Sequence, residues 1–402
     1  MKKYTMFKQV CNIIPGHLVN RLAKETGVEE KSRTFSPWSH VVTHIYAHLT
    51  HAIGLNDVCD GLRMHRGFLS VIRGATPPSR NNLSNANKKR NPQMAEALYW
   101  ETLDYLMKQS PSFAKGKVRH GYLRRFRKAI YAVDSTTIQL VANCLDWAKH
   151  RRRKAAAKYH LRLNLQSFLP KCAVIDTAKF HDSSKAREIC AELKDGEITM
   201  FDKAYLDFGH LHELTQRGVS WVSRAKDNLK YKVVERLQTT DNPRILKDEI
   251  IELTVYKSQQ AYPGRLRRIV AIVEIDGKDE EMVFLTNNFD WSGWTVAELY
   301  RSRWDIEVFF KEIKQTLQLA DFLGHNANAV RWQIWIGLLV HLILRYLAHL
   351  SSWAHSFTRL FTVLRAVLWR YFYLDDLLNS YGTARPPGRI CATPEQAYLP
   401  GI

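Results

Sequence analysis

Hydrophobic positions in the first 75 residues fall in stretches such as HVVTHIYAHL, residues 40–49, that fit helices and show no two-residue alternation. Pro77-Pro78 break this pattern. The segment SRNNLSNANKKR that follows, closed by Pro92, has serine and asparagine capping signals and predicts a short, exposed polar helix. From residue 129 onward the period shortens to two. AIYAVDSTTIQLV, YHLRLNLQSF and PKCAVIDTAKF predict three successive strands, SSKAREICAEL a helix, and ITMFD a strand ending on Asp202. YLDFGHLHELTQRG predicts a helix with a glycine stop, and VSWVSRAKD one more strand. Three strands, helix, strand, helix, strand is an α/β order.

Residues 229–286 break the rhythm. RLRRIVAIVEI and EEMVFLTN flank Asp276-Gly277, a hairpin signal because type I′ turns need positive φ, and the stretch reads as a β-rich insertion. It is expected to be removable without unfolding the core. One long helix is then expected over TVAELYRSRWDIEVFFKEIKQTL, started near Val296 by a Thr295/Glu298 capping box. Trp332 to Leu350 is long enough for a membrane span, but Gln333, His341 and Arg345 interrupt it, so a buried core helix and no membrane are expected. These patterns divide the chain into six parts. They are a helical domain (1–75), a basic region and linker (76–130), an α/β core in two parts (131–228 and 287–350), the insertion between them (229–286), and a C-terminal helical region with a Pro-rich tail (351–402).

Composition adds a partner. Among 402 residues, 59 Lys and Arg face 39 Asp and Glu, a net charge of +20. An excess of this size points to a polyanion, nucleic acid ahead of an anionic membrane surface. Residues 1–130 hold 22 basic and 8 acidic side chains, a net of +14, which leaves +6 for the rest. The front third is therefore the expected footprint, and a fragment of 1–130 is expected to carry most of the sequence-specific binding. Two further basic runs, 115–128 and 149–162, flank the first predicted strand; each alone reads as solvated surface, and together they favour nucleic-acid contact. The insertion, with 10 basic and 10 acidic residues, is neutral. Six cysteines without a Cys-x-x-Cys pair read as reduced thiols of a cytosolic protein, with no zinc site.

The expected helix after the insertion carries the densest chemistry. At 100° per residue, Leu299, Ile306, Phe310, Ile313 and Leu317 share an apolar stripe, and Tyr300, Arg303, Glu307 and Lys314 share the stripe beside it. Alone, Arg303 and Glu307 are equally an exposed i,i+4 ion pair. Asp134 inside one apolar strand and Asp202 at the end of another are costly unless paired or bound to metal. Two strand carboxylates and one helix carboxylate can converge on a pair of divalent cations for phosphoryl transfer; strand-end capping or a salt bridge is the alternative.

Asp134 in YAVDSTTI, Asp202 in MFDKAYLDFG, and the series Tyr300, Arg303, Glu307, Lys314 resemble the DDE transposases of bacterial insertion sequences. Within these the chain resembles the IS-four group with its Tyr-Arg-Glu-Lys signature, as do FHDSS at 180–184, WVSRAKDN at 221–228 and FLTNNFD at 284–290. DKAY after Asp202 departs from the Arg-Gly-Tyr common among relatives. The resemblance implies an RNase H-like core interrupted by the insertion. It implies that Asp134, Asp202 and Glu307 are catalytic and hold two Mg²⁺ ions, with Mn²⁺ able to substitute. Tyr300, Arg303 and Lys314 would grip phosphates, and Arg224 and Lys226 would touch the DNA backbone or be plain surface charges. Trp294 or Trp291 would support an extruded base or serve only in packing. The function implied is cut-and-paste transposition: a homodimer in a synaptic complex binds terminal inverted repeats, cleaves, and joins the freed ends to target DNA, in the bacterial cytoplasm at the nucleoid. Two other readings stand beside it: a related nuclease or inactive relative, and a nonenzymatic basic nucleic-acid-binding protein.

Overall fold

The computed structural model describes residues 4–28, 35–116, 121–140, 149–151, 154–177, 182–238, 242–275, 277–317 and 323–382. The expected Pro-rich tail and parts of both later basic runs lie outside them. In chain order the helices begin with α1 (Met6–Asn12), α2 (Gly16–Glu25), α3 (Pro37–Thr50), α4 (Leu55–Met64), α5 (Arg66–Ser70), α6 (Arg80–Lys89), α7 (Gln93–Gln109) and α8 (Pro111–Lys115). Then come β1 (Ile130–Leu140), β2 (Lys149–Arg151), β3 (Lys154–Asn164), β4 (Leu169–Thr177), α9 (Asp182–Cys190), β5 (Ile198–Phe201), α10 (Phe208–Gln216) and β6 (Ser220–Arg224). The insertion supplies β7 (Tyr231–Arg236), β8 (Ile245–Leu253), α11 (Tyr256–Ala261), β9 (Leu266–Ile275) and β10 (Lys278–Thr286). Helices α12 (Gly293–Ser302), α13 (Asp305–Lys311), α14 (Ala327–Leu350), α15 (Phe357–Ala366) and α16 (Leu374–Gly382) complete the order.

These elements form two compact units. One, helical, gathers the described residues of Met1–Gln109, Gln315–Gly324 and Asn328–Ile402; the other, around the sheet, gathers those of Ser110–Lys314 and His325–Ala327. This grouping crosses the expected divisions at 76 and within 287–350.

In the helical unit, Ser36 caps α3 by accepting from the Ser39 N–H, and Pro37 occupies the first turn, where its missing N–H costs nothing. Residues Pro37 through Leu49 are all buried. His40, His44 and His48, four apart, therefore share one buried face and need polar partners. Asn87 Oδ1 on α6 lies 2.8 Å from His40 Nε2 and 2.9 Å from His44 Nε2, and the Gln333 carbonyl lies 2.9 Å from His48 Nε2. Helix α6 forms as expected, capped by Ser79, with Leu83, Ala86 and Asn87 inward and Asn81, Ser84, Asn85 and Lys88 exposed. Helix α14 is long and apolar enough to cross a membrane, and 72% of its apolar window is buried inside the protein. Helix α1 meets the segment after α15 here: Met6 and Phe7 N–H groups donate to the Arg370 and Leu368 carbonyls at 3.0 and 2.8 Å, and the Phe7 ring packs edge-on to Trp369. A fragment of 1–130 lacks these C-terminal partners of α1.

The second unit is a mixed α/β structure around one sheet, in the order β2-β3-β1-β5-β6-β10-β9-β8-β7, with β4 also paired to β3. Strands β1, β3 and β4 are antiparallel neighbours, while β1, β5 and β6 run parallel. The β9–β10 hairpin forms, with Gly277 at φ +77°, the conformation that only glycine adopts without strain; Asp276 lies outside the described residues. The insertion is not an appended lobe. β10 hydrogen-bonds to β6, pairing Phe284 with Arg224 and Thr286 with Val222. Its Ile251, Leu253, Tyr262, Leu266 and Leu285 share one buried cluster with Leu211, Leu214 and Trp221. Deleting 229–286 would take these side chains out of that cluster and β10 away from β6.

The long helix expected after the insertion is also corrected. Ser292, not Thr295, caps it, accepting from the Thr295 N–H at 3.2 Å, and α12 ends at Ser302. Arg303 and Trp304 form a joint before α13, and Glu312–Thr316 continue as a π-turn.

Candidate active site

Alternation along three neighbouring strands sets the site. Tyr131, Val133, Phe201 and Trp221 enter the buried cluster under α9 and α10. Parallel pairing puts Val133, Phe201 and Ser223 level with one another, so Asp134, Asp202 and Arg224 follow as the next rung. With a period of two, this rung lies on the opposite face to Val133 and Phe201. Helices α12 and α13 cover that face: the Tyr300 ring packs 5.0 Å from Phe284, and Phe310 packs edge-on to Tyr159.

Arg303, 5% exposed in the α12–α13 joint, is the centre of the arrangement. Its Nη1 donates to Asp134 Oδ2 at 2.7 Å and its Nη2 to Glu307 Oε1 at 2.9 Å. The other Asp134 oxygen accepts the Ser135 backbone N–H at 2.7 Å. Tyr300 Oη stands 3.5 Å from Asp202 Oδ1, at the outer limit of a hydrogen bond. Burial pushes the Asp134 carboxyl up to about 6 against the pull of Arg303, and neighbouring Asp202 and Glu307 push it the same way. Burial likewise raises the Tyr300 phenol. For Arg303 burial opposes the charge, yet the Asp134 and Glu307 carboxylates hold it protonated.

The other residues singled out from sequence are placed unevenly. Arg224 is close enough for its charge to act on Tyr300. Lys226 turns its ammonium to the Leu206 carbonyl at 3.4 Å. Lys314, half-buried in the π-turn, makes no hydrogen bond to Asp134, Asp202 or Glu307 among the described residues, and burial lowers its ammonium. Trp294 lines an open cleft of about 260 Å³ with Arg244, Glu274 and Arg301. The Trp291 ring packs on Phe126 instead.

Sequence reasoning missed what fixes the start of α12. In the insertion, buried Arg267 forms a two-point pair with Asp248 at 2.8 and 2.6 Å and donates to the Phe289 carbonyl at 3.2 Å. Gly293, the first residue of α12, sits so close that a Cβ there would lie 3.0 Å from Asp248 Oδ2. Period-two counting on β6 would have placed Arg224; nothing local signals the Arg267 clamp.

The transposase DDE domain family matches residues 125–343, which contain this whole arrangement. The chain belongs to the DDE transposase family. Residues 2–71 match a domain of unknown function, DUF4372. Among relatives, the y4zB protein of Sinorhizobium fredii, described as a transposase, is 30% identical over 68% of this chain and 73% of its own. The transposase for insertion sequence element IS5377 of Geobacillus stearothermophilus is 29% identical over 56% and 58%. Transposase InsG for element IS4 of Escherichia coli is 25% identical over 46% and 42%. A cryo-EM piggyBac transposase synaptic complex aligns with 98% of this chain at 9% identity and TM-score 0.45, too distant to support an argument.

DDE transposases catalyse DNA cleavage and strand transfer and generally depend on divalent metal. The donor chemistry here suits such ions: three carboxylates are hard oxygen ligands, and two of them act together on the proton affinity of the third. Among the described residues, however, no three acidic, His or Cys side chains stand as a closed cation cage. A guanidinium stands between two of the three.

Proposed function

We propose that Asp134, Asp202 and Glu307 are the catalytic, cation-holding carboxylates of an insertion-sequence transposase that cuts and pastes its element. One observation carries the reading. Carboxylates from β1, the end of β5 and α13 are brought together around Arg303 and Tyr300 within the matched domain. The order β4-β3-β1-β5-β6, antiparallel pairs followed by parallel ones, supports an RNase H-like core.

Mg²⁺, with Mn²⁺ able to substitute, would be held by these three carboxylates and supply charge neutralisation at the reacting phosphorus. The remaining work falls to the chain's own residues. Arg303, with its planar fork, suits two oxygens of one phosphate. Tyr300 and Lys314 would contact backbone on either side of it, and Arg224 and Lys226 would extend the track along the ends of β5 and β6. Trp294, in a cleft between two arginines, suits an extruded base better than Trp291, whose ring is engaged by Phe126. DNA partners would be the terminal inverted repeats and the target duplex. A homodimer would hold two ends in a synaptic complex at the nucleoid.

The test is incubation of the purified chain with a supercoiled plasmid carrying its element's ends, in Mg²⁺ or in EDTA. Metal-dependent cutting followed by joined products is the expected result. Cutting without joining would leave a nuclease; binding without either would leave a nonenzymatic DNA-binding protein.

A further inference from the structure

We propose that Arg303 is a resident counter-cation: it occupies the catalytic carboxylates in the free protein and is exchanged for divalent metal as the site loads. The inference rests on the assignment of Asp134 and Glu307 as cation ligands and adds an order of events to it.

Both Asp134 oxygens are already taken, Oδ2 by Arg303 and Oδ1 by the Ser135 N–H. A cation that binds Asp134 must therefore share or displace a donor, and of the two only the guanidinium repels it. The same guanidinium holds Glu307, so one side chain bridges carboxylates from two elements far apart in sequence. A planar fork can do this where a point charge cannot. Its hold is incomplete: Arg303 Nε is buried with no hydrogen-bond partner among the described residues. Arg303 also belongs to the joint between α12 and α13 rather than to either helix, and its guanidinium lies 5.6 Å from the ring centre of Trp304, which is 45% exposed. The ring offers the displaced cation a face nearer the surface. Loading and release are thus linked: metal on the carboxylates frees the guanidinium for a DNA phosphate, and phosphate on the guanidinium opens the carboxylates to metal. Such coupling is reciprocal by thermodynamic necessity.

The experiment measures Mn²⁺ binding to the full chain without DNA, from the EPR signal of free Mn²⁺. Arg303→Gln is expected to bind about tenfold tighter than the parent, within the usual range of coupling between sites. Arg303→Lys, with one ammonium for two carboxylates, should fall between them, and it carries the test should the Gln variant fail to fold. Lys311→Gln, which removes an exposed charge from α13, should match the parent. Affinity in Arg303→Gln and Arg303→Lys equal to or weaker than the parent's overturns the exchange. If Glu307→Gln leaves Mn²⁺ binding unchanged, or no form binds, the metal-site assignment itself has failed, which is a different result.

Discussion

At the scale of single residues, Glu307 separates two accounts of the site. It is 40% exposed and paired to Arg303, so as a mere ion-pair partner its change to Gln should cost only about 0.5 kcal/mol of stability. As a cation ligand the same change should abolish both cleavage and joining while DNA binding persists. Asp134→Asn should match it in activity but not in stability. Asp134, 18% exposed, is paired to a guanidinium only 6% exposed, and leaving that buried cation short of a partner costs about 3 kcal/mol. Double variants among Asp134, Asp202 and Glu307 should be scarcely less active than singles, because the residues act as one unit. The measurements are labelled-end cleavage in Mg²⁺ and thermal melts; robust cutting by Glu307→Gln would sink the assignment.

At the scale of elements, α3 makes the helical unit sensitive to acid. Burial lowers His44 and His48 to about 4 and holds His40 well below the ordinary imidazole range, so the folded protein keeps all three rings neutral. Unfolded, they titrate at about 6.5. The unfolded chain therefore binds more protons as acidity rises. The stability these rings contribute is whole above about pH 6.5 and is lost as pH falls through about 4. Melting temperature should decline over that window, and His44→Gln should make the decline shallower. Equal pH slopes for the two proteins would show that the buried histidines do not set it. Active-site elements follow a different logic. A continuous helix would carry Tyr300, Arg303, Glu307 and Lys314 on one stripe; the joint after Ser302 and the π-turn at Glu312 re-aim them, and π-turns recur at functional sites.

At the scale of the whole molecule, charge and fold must be read together. The net +14 of residues 1–130 includes α6, whose Lys88 and Lys89 are exposed beside Asn81, Ser84 and Asn85. Because α1 is tied to residues 368–370, end binding is best tested in the full chain. Lys88→Gln/Lys89→Gln should lower affinity for duplex DNA and flatten its dependence on log salt by about 0.9 for each phosphate no longer neutralised. Asn85→Ala should instead reduce preference for the element's ends over random duplex. An unchanged salt slope in the double variant would remove α6 from the footprint. By itself the sequence determined the strands that hold Asp134 and Asp202, the capped helix α6, the buried course of α14 and the transposase resemblance, since each depends on local periodicity, capping or ordered motifs. Tertiary structure alone decided that the insertion continues the core sheet, that the Arg267–Asp248 pair fixes the start of α12, and that Arg303 reaches Asp134 as well as Glu307. Those interactions join residues far apart in the chain, and no local pattern of polarity encodes which distant side chain a buried charge will meet.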